Sequence, residues 1–208
     1  MVKVKICGLM DTLSVLTAVD AGADFIGLVF AKSKRRITLE KAKELASIIP
    51  SNIKKVGVFV NEKKEVIEEI AEEVGLDYIQ LHGDETPDFC AQLSLPIIKA
   101  FSVASVEDVE KVKGYPCDYY LLDSPHGKYR GGNGTTFDWS LVKNQAFLKD
   151  KMILAGGLTV ENVAEAINEV KPIGVDVSSG VETNGVKDTD KIRAFLLAAK
   201  KGETNGKI

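Results

Sequence analysis

The chain has 208 residues, 45% of them hydrophobic, and its 27 Lys and Arg against 30 Asp and Glu leave a net charge of −3. This suits one sizeable core, and interspersed charges of both signs argue against a general nucleic-acid binder. Apolar runs no longer than a strand, no signal-peptide core and three widely spaced cysteines exclude a membrane span, a disulfide framework and a zinc site, which points to a reduced, cytoplasmic protein.

Strands are predicted at 2–8, 25–30, 54–60, 78–82, 96–101, 119–123, 152–157 and 174–179, with helical patterns between them and after the last. The first strand alternates apolar and polar residues and ends on Cys7-Gly8. Asp11 then caps a helix that runs to Gly22, with Leu13, Leu16 and Val19 on one side. The second helix starts at Thr38, carries Leu39, Ala42, Leu45, Ala46 and Ile49 at helical spacing, and stops at Pro50. A third follows Asn61, shows Val66, Ile67, Ile70 and Val74, and ends at Gly75. Thr86-Pro87 is a cap followed by a first-turn proline, and Ser105 to Asp108 resembles a capping box. A short helix is expected around Trp139–Gln145. Thr159 is expected to cap the next helix, and the last begins near Asp188.

Strict strand–helix alternation implies parallel strands joined by crossovers. Eight such units close into a (β/α)8 barrel of the TIM type, read here as one domain over 1–200 with a polar, frayed tail at 201–208. A doubly wound open sheet would carry a nucleotide-type glycine loop after its first strand, and Cys7-Gly8-Leu9-Met10 is not one. Strand parity turns Val4 and Ile6 to the helices and Lys5 and Cys7 to the barrel interior. It also puts Gln80 with His82, and Asp176 with Ser178, on shared faces, and Lys99 is grouped with them as lining a polar mouth. A buried charge needs a partner, so Lys5 is expected to meet a carboxylate such as Asp176.

Cys7 and Asp123 end apolar strands at the face where barrels carry their chemistry, and they form the best acid–base pair. A thiol beside a cation can act as a general base or a nucleophile; Cys90 and Cys117 read as core fillers. Gly156 and Gly157 follow strand seven, and Ser178, Ser179 and Gly180 follow strand eight. Glycine-rich turns at these two positions suit a phosphate. The loop 124–136, with Gly131-Gly132-Asn133-Gly134, reads as a lid or substrate-lining loop in which Gly132 contacts substrate. His82 and Asp176 are further substrate-binding candidates. In the run Lys32-Ser33-Lys34-Arg35-Arg36, one arginine at this face suits a bidentate grip on a substrate carboxylate or phosphate.

Together the stretches Val4–Gly8, Gly57–Asn61, Gln80–Gly83, Leu121–Asp123, Gly131–Gly134 with Phe137-Asp138-Trp139, Ala155–Leu158 and Asp176–Glu182 resemble phosphoribosylanthranilate isomerases over nearly the whole chain. The resemblance implies a cofactor-independent Amadori rearrangement of a small phosphosugar, with no metal. It makes Cys7 the base and Asp123 the acid, and it assigns the anthranilate carboxylate to Arg35, with Arg36 as its substitute. The family often has Ser-Pro-Arg where this chain has Ser33-Lys34-Arg35, and more often threonine where it has Asn133. A histidine-pathway isomerase would favour two carboxylates and two phosphate sites, and an indole-glycerol-phosphate synthase an N-terminal extension. A catalytically silent phospholigand-binding barrel would not need both Cys7 and Asp123. Neither nucleic acid nor membrane is expected as a partner. No exposed apolar stripe is legible on the helices, which favours a monomer over a homodimer.

Overall fold

The structure, a computed structural model, describes residues 1–125, 136, 138–143 and 145–204. Eight parallel strands close into a barrel: β1 (Lys3–Cys7), β2 (Phe25–Val29), β3 (Lys54–Phe59), β4 (Tyr78–Leu81), β5 (Ile97–Ser102), β6 (Tyr119–Asp123), β7 (Met152–Leu154) and β8 (Gly174–Val177). Each pairs with the next, and β8 returns to β1 with Lys5 opposite Asp176. Around them lie α1 (Thr12–Asp20), α2 (Leu39–Ser47), α3 (Lys64–Val74), α4 (Pro87–Cys90), α5 (Val106–Lys111), α6 (Val163–Val170) and α7 (Thr189–Thr204). Two-residue strands β9 (Glu182–Thr183) and β10 (Val186–Lys187) form a small antiparallel hairpin after β8. Among the described residues no helix is long and apolar enough to cross a membrane.

Alternation along the strands divides the core in two. Val4, Ile6, Ile26, Leu28 and Leu122 pack outward against the helices. Inside, Phe25, Val56, Ile98, Leu121 and Ile153 fill the barrel, and Phe25 meets Tyr78 and Tyr119 edge-on at 5.7 and 6.1 Å. Above them Cys7, Val29 and Val58 form the layer under the mouth. At the opposite end one device recurs three times. The aspartate just before β2, β4 or β6 accepts the N–H of the preceding strand's early residue: Asp24 from Val4, Asp77 from Lys55 and Asp118 from Ile97, at 2.8 to 2.9 Å. Each carboxylate satisfies a strand-start donor that the ladder leaves over.

Five expectations are corrected. On α1 the buried side is Ser14, Val15, Thr17 and Ala18, while Leu13 is 66% and Leu16 41% exposed. Asp11 accepts both the N–H and the hydroxyl of Ser14, at 2.9 and 2.7 Å, which turns the small residues inward. The leucines face out with Met10, so α1 does carry an exposed apolar face. Among the described residues between β6 and β7 there are two single 3-10 turns, Trp139–Leu141 and Ala146–Leu148, in place of the expected helix. Extended backbone at Gln145 separates them. Thr159 opens a turn, accepting from Glu161, and α6 starts only after Asn162. β7 and β8 stop short of the predicted ends, because Gly156 and Gly157 take φ of 80° and 63° and Ser178 leaves the extended region.

The fifth correction is Lys99, which faces the helix layer. Its ammonium pairs with Glu85 at 3.2 Å and donates to the Gly83 carbonyl at 2.8 Å, both side chains being 3% exposed. Glu85 in turn accepts from the N–H groups of Asn61 and Gly83. This buried pair therefore braces the loops after β3 and β4 from behind. Cys90 and Cys117 are buried in the same layer.

Candidate active site

Cys7 closes β1 with its side chain under the mouth, 8% exposed. Two residues below, Lys5 is 1% exposed and its ammonium meets Asp176 Oδ1 at 2.7 Å. Lys5 and the Cys7 thiol also act on each other electrostatically. Space for this cluster comes from Gly27 on β2, where a Cβ would stand 2.8 Å from Cys7 Sγ and 3.1 Å from Lys5 Nζ. Burial works against the Lys5 charge, but Asp176 and Cys7 reverse it and hold the ammonium above the ordinary lysine range. Burial pushes the Cys7 thiol up, Lys5 and Lys187 pull it down and Asp176 opposes them, and burial wins, leaving the thiol above its ordinary range. Ser178 donates its hydroxyl to the Cys7 carbonyl at 3.1 Å, tying the end of β1 to the turn after β8.

Asp123 ends β6 at 5% exposure. Its Oδ1 accepts the Ser124 N–H at 2.8 Å, and its Oδ2 lies 3.5 Å from His82 Nε2. Gln80 Nε2 sits 3.2 Å from His82 Nδ1. With the amide donating there, Nδ1 accepts, and Nε2 is the ring nitrogen that faces Asp123. Gln80 Oε1 is buried without a hydrogen-bond partner. Gly156 lies directly against this group: a Cβ there would be 2.4 Å from Ser124 N and 3.0 Å from Asp123 Oδ1.

One open cavity joins the two glycine-rich turns to Asp123, lined by Asp123, Gly156, Gly157, Asp176, Ser178 and Gly180 among others. Successive positive φ at Gly156 and Gly157 make a turn that side-chain-bearing residues resist. Asn162 pins it, donating to the Gly157 carbonyl at 3.0 Å and accepting from Thr159 N at 2.8 Å. Gly180 lets the second turn close, since a Cβ would meet the Leu158 carbonyl at 1.9 Å. Glycine turns that face one cavity from adjacent strand ends can present backbone N–H groups to an anion.

With the barrel, the paired acid and base candidates and the joined glycine turns in place, the comparisons decide the family. Residues 4–198 match the family profile described as N-(5'-phosphoribosyl)anthranilate (PRA) isomerase. The chain belongs to that family. A phosphoribosylanthranilate isomerase of Bacillus cereus is 50% identical over 197 residues, covering 94% of this chain and 98% of the relative. A solved phosphoribosylanthranilate isomerase in complex with reduced 1-(o-carboxyphenylamino)-1-deoxyribulose 5-phosphate is 39% identical, covers 97% of this chain and all of its own, and superposes with a TM-score of 0.84. The Thermotoga maritima isomerase, solved as mutually generated monomers of a dimeric protein, is 40% identical with the same coverage and a TM-score of 0.85.

Within this isomerase fold the sequence-selected residues fall into two connected groups. Cys7 and Asp176 meet around Lys5, with Ser178 on the Cys7 carbonyl, and His82 and Gly156 meet around Asp123. Ser179 and Gly180 share the cavity with Gly157. Arg35 is drawn to the mouth by Gly8, whose missing Cβ would stand 2.6 Å from Arg35 Cδ. Its guanidinium makes a two-point contact with Glu182, at 2.6 and 3.1 Å, whereas Arg36 is exposed. Gly132 and most of the expected lid loop lie outside the described residues.

Sequence reasoning passed over Glu182 and Lys187 as site residues. Both lie on the β9–β10 hairpin, and Asn184-Gly185, at φ of 53° and 81°, is a two-residue turn signature that was open to view. Glu182 gathers three cations: Arg35, Lys187 at 3.0 Å and the exposed Lys34 at 3.3 Å. Burial raises its carboxyl, but Arg35 and Lys187 outweigh this and hold it at about 2. Among the described residues no cluster of three or more His, Cys, Asp or Glu is placed to hold a metal ion.

Proposed function

We propose that this chain converts N-(5-phosphoribosyl)anthranilate to 1-(2-carboxyphenylamino)-1-deoxyribulose 5-phosphate, with Asp123 as acid and Cys7 as base. The observation that carries the reading is the single cavity joining Asp123 and Asp176 to the two glycine turns. A phosphate on those turns, made by Gly156, Gly157, Ser178, Ser179 and Gly180, fixes one end of the substrate. Arg35 exchanges Glu182 for the anthranilate carboxylate at the other end. His82 and Asp176 border the sugar between them.

Asp123 gives its proton to the furanose ring oxygen; the bond from that oxygen to C1 breaks and C1 becomes an iminium. The Cys7 thiolate takes the proton from C2, leaving an enolamine. Return of a proton to C1 and loss of the C2 hydroxyl proton give the ketone. Product and substrate are isomers, and the net change is internal to the sugar. One group must start protonated and the other unprotonated, and the two draw on separate surroundings.

The test is turnover of freshly made phosphoribosylanthranilate, followed by loss of anthranilate fluorescence. Wild type turns over, and Cys7→Ala and Asp123→Asn each lose about 10² to 10⁴-fold in kcat. No turnover by folded wild-type protein overturns the reading. Survival of activity in Cys7→Ala moves the base elsewhere. The exposed Met10, Leu13 and Leu16 support a contact between two copies, against the monomer favoured by the sequence. Sedimentation of wild type against Leu13→Glu tests this.

A further inference from the structure

Lys187 is the feature of the mouth that the reaction above leaves without a task. It reaches the site from β10, yet its side chain is only 4% exposed. Its ammonium donates to the Ser178 carbonyl at 2.7 Å, lies 3.4 Å from Ser178 Oγ, and pairs with Glu182 at 3.0 Å. Ser178 is the residue whose hydroxyl holds the Cys7 carbonyl. A lysine loses several kcal/mol of hydration on such burial, so a surface hairpin has no reason to turn one inward for stability alone. The hairpin is braced in this position: Thr183 Oγ1 bonds Asp188 at 2.7 Å, and Lys191 bonds the Glu182 carbonyl at 2.9 Å.

We infer that Lys187 is a positioning residue for the base: through Ser178 it seats the end of β1, and it supplies the second cation facing the Cys7 thiol. The inference rests on the base role given to Cys7 above. The charged groups around that thiol are Lys5 on its own strand, Asp176 on β8 and Lys187 on β10. Lys187 is itself faced by Glu182, Cys7 and Arg35. Burial depresses the Lys187 ammonium below the ordinary lysine range, and Glu182 acts in the opposite direction to keep it charged. Glu182 thus does two things at once: it holds Lys187 in place and gives Arg35 a resting partner until a substrate carboxylate arrives.

The experiment compares wild type, Lys187→Met and Lys187→Arg by the pH dependence of Cys7 alkylation with iodoacetamide, quantified on the Cys7 peptide, and by kcat and KM. Removing a cation that faces a thiol raises the alkylation midpoint by about one pH unit in Lys187→Met, and alkylation at fixed pH below that midpoint slows about tenfold. The acid limb of the kcat profile moves with it, KM changes by less than about threefold, and Lys187→Arg stays near wild type. An unchanged Cys7 midpoint in Lys187→Met that keeps the wild-type circular dichroism overturns the inference. If Lys187→Met does not fold, Lys187→Gln is read instead: it removes the charge but keeps a polar head that can reach the Ser178 carbonyl, it must raise the midpoint in the same direction, and an unmoved midpoint overturns the inference as well. Alkylation needs no substrate, so a shifted midpoint without turnover in wild type would sink the proposed reaction and leave the Lys187 assignment standing.

Discussion

Gly156→Ala is the most direct probe of how tightly the glycine turn and the acid are built together. Gly156 has φ of 80°, and its missing Cβ would stand 2.4 Å from the Ser124 amide nitrogen and 3.0 Å from Asp123 Oδ1. Holding alanine in left-handed backbone costs about 1 to 2 kcal/mol before any clash is counted. The clash is with backbone on one side and with the acid on the other, so neither neighbour is a flexible tip that swings away. Restoring ordinary contact moves Ser124 or Asp123 by about 1 Å, and a misplacement of that size costs roughly 10²-fold in rate. We expect kcat in the fluorescence assay to fall about 100-fold, with a smaller rise in KM because the same turn borders the phosphate. Gly114→Ala is the control, since a Cβ there meets nothing within 4 Å. A Gly156→Ala protein that keeps kcat within about threefold of wild type would refute the argument that this glycine sets the position of Asp123.

Two further predictions concern charge. Asp176→Asn leaves Lys5, at 1% exposure, without its carboxylate and should lower stability by about 3 to 5 kcal/mol in urea unfolding. Adding Lys5→Met should recover most of that loss, and a cost below about 1 kcal/mol for Asp176→Asn would show that the pair is not buried as described. Glu182 is held at about 2 against an ordinary value of 4.5. Its folded value lies below its unfolded value, so its stabilisation is complete above about pH 5 and drains as pH falls toward 2. The whole contribution is about 3 kcal/mol at most, and Glu182→Gln should flatten unfolding free energy across that window while leaving its slope above pH 5 unchanged.

The barrel was legible because its signals are local and repeated: apolar strands end on the same polar residue types, and caps at Asp11, Thr38 and Thr86 each accept the expected N–H. Parity turned Lys5 into the barrel, the need of a buried charge for a partner pointed to Asp176, and β1–β8 pairing makes the two direct neighbours. Parity failed for Lys99, because a long side chain on the helix-facing side can be buried as deeply as one inside the barrel when Glu85 and the carbonyls of Leu81, Gly83 and Ala100 receive it. Leucine content misled on α1, where the cap at Asp11 rotates Ser14 and Ala18 inward and leaves Leu13 and Leu16 outside. Glu182 and Lys187 were missed for a different reason: their importance lies in contacts with Arg35 and Ser178 that no spacing along the chain announces, and only Asn184-Gly185 marked the hairpin that brings them in.

The charges gathered at the base give a reason for the arrangement as a whole. Around Cys7 the buried charged groups are two cations, Lys5 and Lys187, and one anion, Asp176. With Cys7 as a thiol the cluster carries one positive charge too many for a place shielded from water; as a thiolate it is balanced. Burial raises the cost of the thiolate and leaves the thiol above its ordinary range, and the surplus cation offsets part of that cost. Asp123 stands outside this cluster, held by Ser124, His82 and the Gly156 turn. On the proposed reaction, the proton donor and the base thus sit in separate polar surroundings.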